Sequence, residues 1–417
     1  MAIVRPFKAV RPTPALADKV AALPYDVMNS QEARQMVVGN PYSFLHVDKA
    51  EIDLDSAIDL YDTRVYEKAR DNLRQMIAEG VFVKDNEACL YIYKQVMNGR
   101  TQIGIVGCTA VDDYRNNIIK KHELTRADKE QDRINHVDYC DANTGPIFLT
   151  YRAKAAINAM VAKVVENDTP VYDFVSEDGI GHTVWVIRDA ALIQAICEEF
   201  AGVDYLYIAD GHHRSASAVR VGMMRRNTNP AYDGSEEFNY FLSVIFPDEQ
   251  LYIMDYNRIV KDLNGNSKEQ FLEKVAEKFT ITPYAGDDVL KPENKHTYGM
   301  YLDGTWYLLA AKEGTYDNTD PVARLDVSIL QNNLLHPILG IGDPRTDKRI
   351  DFVGGIRGLQ ALADRVDDGS MAVAFSMYPT TMDDLMDIAD AGAIMPPKST
   401  WFEPKLRSGL FIHELSE

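Results

Sequence analysis

Residues 203–224, VDYLYIADGHHRSASAVRVGMM, limit the fold of this chain more than any other stretch. Val203–Ala209 is a short apolar, aromatic-rich run suited to a buried strand, and Ser215–Met224 is an Ala- and Val-rich run suited to a helix. Between them sits Asp210-Gly211-His212-His213-Arg214. A strand that feeds a helix through a small-residue turn aims backbone N–H groups and the positive helix end at one point, which makes an anion site. Gly211 lets a phosphate approach the backbone, Arg214 offers it two parallel hydrogen bonds, and the imidazoles of His212 and His213 can donate to phosphate or stack on a base. Ser215 completes this phosphate-binding group. The plainer alternative makes Asp210 a helix cap and the histidines polar surface.

The rest of the chain alternates α and β signals without repeats, so the class is α/β or α+β. Residues 61–80 predict an amphipathic helix with Val65, Ala69, Leu73, Met76 and Ile77 on one face and Gly80 as its stop. Asn98-Gly99 and Asp303-Gly304 predict two tight hairpins, joining 88–97 to 101–106 and 298–302 to 305–310. Residues 227–237 read as a loop before the strand FLSVIF. Ser267 with Gln270 forms a capping box for a helix burying Phe271, Val275 and Phe279. Boundaries are expected near 262 and around 340–348, before the strand-like IDFVGG.

Composition excludes several classes. With 44 basic against 63 acidic side chains the formal charge is -19, and no run of clustered Lys and Arg goes beyond pairs such as Lys120-Lys121 and Arg225-Arg226, so nucleic acid and anionic membranes are not expected partners. Four cysteines, Cys89, Cys108, Cys140 and Cys197, are too scattered for a disulfide framework or zinc site and read as buried thiols. No secretory leader or membrane span is evident, and the expected compartment is the cytoplasm. G-x-x-x-x-G-K-[ST] is absent, and GIGDPR lacks the flanking strand and helix of a dinucleotide fingerprint.

Two further segments carry chemistry. Residues 118–136, IIKKHELTRADKEQDRINH, put His122 and Glu123 at the start of a charged, helix-like stretch, in which Lys129, Asp132, Arg133 and His136 share helical spacing. From composition alone Glu123 reads as a surface residue paired with Lys120, Lys121 and Arg126, and the later face as solvated or reaching a nucleotide or metal. In residues 392–415, Pro396-Pro397 stiffens a loop in which Lys398, Ser399 and Thr400 suit a phosphate or carboxylate, with Lys405 and Arg407 beyond it.

Asp-Gly-His-His-Arg after a strand resembles the nucleotide-binding turn of the ParB/sulfiredoxin superfamily, in particular its free serine kinase branch. Sulfiredoxins carry a catalytic cysteine where His212 stands, and ParB proteins carry a Gly-Glu-Arg-Arg type of box, so the kinase branch fits best. Together with K-H-E at 121–123 and M-P-P-K-S-T at 395–400, the segments PYDVMNSQEAR (24–34) and NPYSFLHVDKAE (40–51) resemble a large bacterial and archaeal family, over essentially the whole chain.

That resemblance implies a ParB/sulfiredoxin-like nucleotide-binding core with a second α/β lobe. The core with its N-terminal extension spans 1–250, the second lobe 251–370, and 371–417 returns to the active site. It implies phosphorylation of free L-serine to O-phospho-L-serine from ATP or ADP. Glu123 is the general base, with His122 and Asp210 also catalytic, and Lys398, Ser399 and Thr400 contact substrate. Mg²⁺ bridges the nucleotide phosphates, with Asp210 or Glu123 within its reach. The alternatives are a nucleotide hydrolase and a ParB-like nucleotide-gated switch.

Overall fold

Asn98 and Gly99 take φ of 51° and 76°, and Asp303 and Gly304 take 49° and 75°. These are the left-handed pairs that two-residue I′ turns need, and both predicted hairpins form around them. The computed structural model describes residues 1–286 and 288–416. The chain divides into two units, one formed by Met1–Leu251 with the segment from Pro404 onward, the other by Tyr252–Glu403. Both mix helices with sheets, giving an α+β fold.

The first unit is built on a nine-stranded sheet. Its strands are β1 (Val4–Arg5), β2 (Leu90–Met97), β3 (Arg100–Ala110), β4 (Ile119–Lys120), β5 (Ile147–Tyr151), β6 (Tyr172–Val175), β7 (Gly181–Ile187), β8 (Leu206–Asp210) and β9 (Tyr240–Pro247). The order is β4-β8-β5-β9-β3-β2-β7-β6, with β1 also on β3. Most pairs are antiparallel, but β8 runs parallel to β4, with Leu206 opposite Ile119 and Tyr207 opposite Lys120. The chain therefore leaves β4 and β8 at the same end of the sheet. The register of β8 against β5 shifts between Ile208 and Asp210, and such a bulge re-aims the side chain that follows it.

Helices α1 (Thr63–Ala78), α2 (Ala127–Cys140), α3 (Ala155–Asn167), α4 (Ala190–Ala201) and α5 (His212–Thr228) belong to this unit. Ile157 and Val164 of α3, with Ile193, Ile196 and Phe200 of α4, join Leu149, Ile208 and Ile245 of the sheet in one core. Each such side chain contributes about 1.5–3 kcal/mol on burial. In α1, Val65, Ala69, Leu73 and Met76 are buried as predicted and Gly80 at φ 75° ends it, but Ile77 is 36% exposed. The buried stripe runs through Tyr66 and Asn72 instead, leaving Ile77 on its rim.

Three boundaries differ from expectation. The strand before the Asp-Gly turn starts at Leu206, not Val203. The helix after it starts at His212, because Gly211 with φ 95° serves as its N-cap, and it runs to Thr228, so the following loop is shorter than expected. His122 and Glu123 lie in a loop that bends at Glu123, and α2 begins only at Ala127.

The second unit is a six-stranded antiparallel sheet. Its strands β10 (Tyr256–Val260), β11 (Phe279–Pro283), β12 (Thr297–Leu302), β13 (Thr305–Ala311), β14 (Ile350–Gly354) and β15 (Val373–Met377) are ordered β11-β13-β12-β15-β10-β14. Helix α6 (Lys268–Lys278) starts at the predicted capping box, and Phe271, Val275 and Phe279 are fully buried. The cysteines are free thiols, three buried and Cys197 half-buried. No helix among the described residues is long and apolar enough to cross a membrane.

Candidate active site

Because β4 and β8 are parallel neighbours, the loop after Lys120 and the turn after Asp210 emerge side by side. A cavity of about 130 Å³ lies there, lined by Tyr25, Asp26, Glu123 and Asp210–Arg214. The first turn of α5 opens onto it, and the leading N–H groups of a helix have no partner within the helix.

Asp210 sits below the cavity as a charge hub. Its carboxylate accepts from the Gly211 N–H at 2.8 Å and from Lys405 Nζ at 3.1 Å, and Arg214 Nη2 lies 3.8 Å away. Burial alone would raise this carboxyl, but Lys405 and Arg214 outweigh it and hold it well below the usual carboxylate range. Arg214 Nη1 donates to the Pro146 carbonyl at 2.6 Å, while its Nε has no partner among the described residues. The guanidinium folds back over Gly211, where a Cβ would stand 3.2 Å from Nε and 3.3 Å from Cζ. Glycine is required there twice, for the left-handed backbone and for that contact.

The histidines do something sequence did not suggest. His212 Nε2 accepts the His122 backbone N–H in a long 3.5 Å contact, and His213 Nε2 accepts the Arg126 N–H at 3.1 Å. Each ring thus carries its proton on Nδ1. Burial pushes His212 down to about 3 and lowers His213 as well, so both are neutral at physiological pH. His212 Nδ1 faces Glu123 Oε2 at 3.7 Å, too long for a hydrogen bond but a distance that ligand binding can tighten. His122 is fully buried edge-on against His212, ring centroids 4.5 Å apart, and burial beside that ring pushes it to about 3. It backs His212 and does not line the cavity.

Behind the cavity, Tyr25 and Arg214 also wall a second, water-sized hole of about 20 Å³ with Asp48, Arg133 and His136. Arg133 lies 4.1 Å above the Tyr25 ring and pairs with Asp132, which accepts from Tyr66. His136 Nε2 is 3.1 Å from Thr144 Oγ1 and 3.6 Å from Asp48 Oδ1. Asp132, Arg133 and His136 are thus supporting groups, whereas Lys129 points away, its Nζ over Tyr61. Ser215 is buried and its hydroxyl donates to the His212 carbonyl, which removes it from phosphate contact. Arg407 is held elsewhere by Asp178 and Ser176.

Lys398, Ser399 and Thr400 belong to the second unit. There Lys398 takes φ 59° with Nζ over Tyr256, its carbonyl accepts from Arg258, and Ser399 Oγ donates to the Pro396 carbonyl. Tyr25, Asp26 and Asp48 fall within the family-like segments 24–34 and 40–51, but sequence reasoning gave them no place at the site. The only local signal was the Asn29/Glu32 capping box, which starts the helix Ser30–Met36 and fixes the Tyr25–Val27 turn before it.

The family model described as "Protein of unknown function (DUF1015)" matches residues 4–328, and the chain belongs to that family. Among solved structures, it is similar to a conserved hypothetical protein from Pyrococcus furiosus at 13% identity and a TM-score of 0.34, covering 73% of this chain and 93% of that one. A free serine kinase in complex with AMP aligns at 11% identity and a TM-score of 0.35, covering 73% of this chain and 91% of that one. SbnI from Staphylococcus aureus, with a C-terminal truncation, aligns at 11% and 0.37, covering 73% of this chain and 85% of that one. No curated protein matches the chain.

Proposed function

We propose that the protein is a small-molecule kinase that transfers a phosphoryl group from ATP or ADP to the hydroxyl of free L-serine. The observation that carries this reading is the convergence, around one 130 Å³ cavity, of the α5 N-terminus and Arg214 with the carboxylate of Glu123. An anion-binding wall opposite a basic group is what phosphoryl transfer to an alcohol needs. The enclosed volume is about that of four waters. It matches a phosphoryl group and a small alcohol, so the nucleoside of the donor would lie outside it.

In this scheme Arg214 and the first N–H groups of α5 bind the transferring phosphoryl. The serine oxygen forms the new O–P bond as the bond to the nucleotide breaks, and the hydroxyl proton passes to Glu123. Neutral His212 presents its Nδ1–H to that carboxylate and orients it, the supporting role an imidazole partner plays in catalytic triads. Asp210 keeps Arg214 and Lys405 in place and stays ionised. Among the described residues no three metal-ligating side chains converge. A Mg²⁺ ion would take most ligands from phosphate and water, as it prefers, with Asp26 and Glu123 the carboxylates beside it; it would supply charge neutralisation.

Protein incubated with Mg²⁺, ATP or ADP and L-serine is expected to form O-phosphoserine, and Glu123→Gln to lower turnover by about 10²–10⁴-fold with nucleotide affinity little changed. No product from any common donor would overturn the assignment. Nucleotide turnover that is indifferent to serine would favour a hydrolase, in which water replaces the alcohol.

A further inference from the structure

Among the described residues no hydrogen bond fixes the Glu123 side chain, which is 41% exposed, and the neutral His212 ring stands 3.7 Å from its carboxylate. A general base placed this loosely depends on the loop that carries it. That loop, His122–Arg126, bends at Glu123 and belongs to no helix or strand. Its side-chain ties to α2 are Thr125 Oγ1 donating to Glu130 at 2.6 Å and the exposed Arg126 guanidinium pairing with Asp128 at 2.8 Å. Its backbone ties to α5 are the two imidazole contacts, from the N–H of residue 122 to His212 and from the N–H of residue 126 to His213. These two points bracket Glu123. The contact at His213 is the shorter, 3.1 Å against 3.5 Å, and it holds the end of the loop that is not already anchored by β4.

We propose that His213 is a positioning residue, whose Nε2 latches the Arg126 N–H and so holds Glu123 over the phosphate turn. This rests on the reading of Glu123 as general base. The second histidine of the Asp-Gly-His-His-Arg turn thus acts through a backbone amide of another loop and binds no phosphate through that nitrogen. The requirement is an acceptor at the Nε2 position. Glutamine can place its amide oxygen there, whereas leucine fills similar space and accepts nothing. Removing the donor from the opposite side should have the same effect. Arg126 has φ −89° and ψ 131°, near what proline adopts, so Arg126→Pro deletes the N–H with little backbone distortion, and Arg126→Ala, which keeps the N–H, controls for the lost pairing with Asp128.

The test combines amide hydrogen exchange with steady-state kinetics on the full chain. In His213→Leu the Arg126 amide is expected to exchange about ten-fold faster, the equivalent of one lost hydrogen bond. Turnover should fall about ten-fold or more while KM for the nucleotide stays within two-fold. His213→Gln should recover most of both losses. Arg126→Pro should reproduce the fall in turnover, and combined with His213→Leu it should add nothing further, because both remove the same bond. Unchanged protection of the Arg126 amide in His213→Leu overturns the latch whatever the activity. So does a parallel loss of nucleotide affinity in both the Leu and Gln variants, which would make His213 a phosphate ligand. Additive effects of the two single changes do the same. If the wild type transfers no phosphoryl group at all, the exchange measurement still decides the latch, and only the role of Glu123 falls.

Discussion

Replacing Asp210 with Asn is expected to move stability and anion affinity in opposite directions. The Lys405 and Arg214 side chains that this carboxylate neutralises are only 14% and 11% exposed, while its own is 27% exposed. Removing one member of a buried ion pair costs about 3–5 kcal/mol, because the other charge is left uncompensated. Solvent reaches part of Asp210 and screens the interaction, which brings the expected loss to about 2–3 kcal/mol. At about 2–4 °C per kcal/mol, the Tm of the first unit falls by about 5–10 °C. The same change removes a negative charge from the cavity wall. At an effective dielectric of about 20, unit charges about 7 Å apart interact by about 2.4 kcal/mol. Screening over a Debye length of about 8 Å leaves about 1 kcal/mol, a gain of about five-fold in affinity for an anion. Thermal unfolding and metal-free calorimetric titration with inorganic phosphate read the two effects separately. The pH dependence has a definite sign: with its folded pKa depressed, Asp210 stabilises the protein above its unfolded value of about 3.9. The gap between wild type and variant should therefore be full at pH 5 and above, and close as pH falls below about 4. An unchanged Tm, or weaker phosphate binding, refutes the reasoning.

Gly211→Ala is expected to cost about 1–2 kcal/mol for a left-handed non-glycine residue and to displace the Arg214 guanidinium, weakening nucleotide binding by about ten-fold; wild-type affinity by calorimetry would contradict this. His136 supplies a pH signature of opposite sense. Burial opposes its charged form, but Cys140 and Asp48 raise it to about 9. Its contribution is complete below the unfolded value of about 6.5 and is lost as pH rises through about 9, so wild-type Tm should fall more between pH 7 and 10 than that of His136→Gln. An imidazole titrating near 6.5 by NMR would sink this.

The strand, the glycine turn, the helix and both hairpins were legible because their signals are local. Asn98-Gly99 demands positive φ at two neighbouring residues, and Ser267 with Gln270 caps its own helix, whatever the rest of the chain does. The adjacency of His122-Glu123 to Asp210–Arg214 was not legible in this way, since it depends on the parallel pairing of β4 with β8, 87 residues apart in register at Leu206 and Ile119. Tyr25 and Asp26 were missed for the same reason. Their place at the cavity is set by Arg133 stacking on Tyr25 from a helix more than 100 residues away. The direction of the histidine hydrogen bonds is a finer matter still. Composition shows that two imidazoles are present, but only the backbone of the 122–126 loop opposite them turns their Nε2 atoms into acceptors.

That reversal changes how the turn must recognise an anion. With Nε2 of both rings occupied and both rings neutral, His212 and His213 bring no positive charge to the cavity, and their only remaining donor is Nδ1–H. Positive charge beside the cavity comes from Arg214 and from Lys405, but Asp210 lies closer to Lys405, at 3.1 Å, than to Arg214, at 3.8 Å. Arg214, whose Nε lacks a partner among the described residues, faces Asp26 and Asp48 as well as Asp210 and lies against the helix N-terminus. In the proposed scheme an anion would therefore meet one guanidinium and one set of backbone donors, with Asp210 tempering the charge they present.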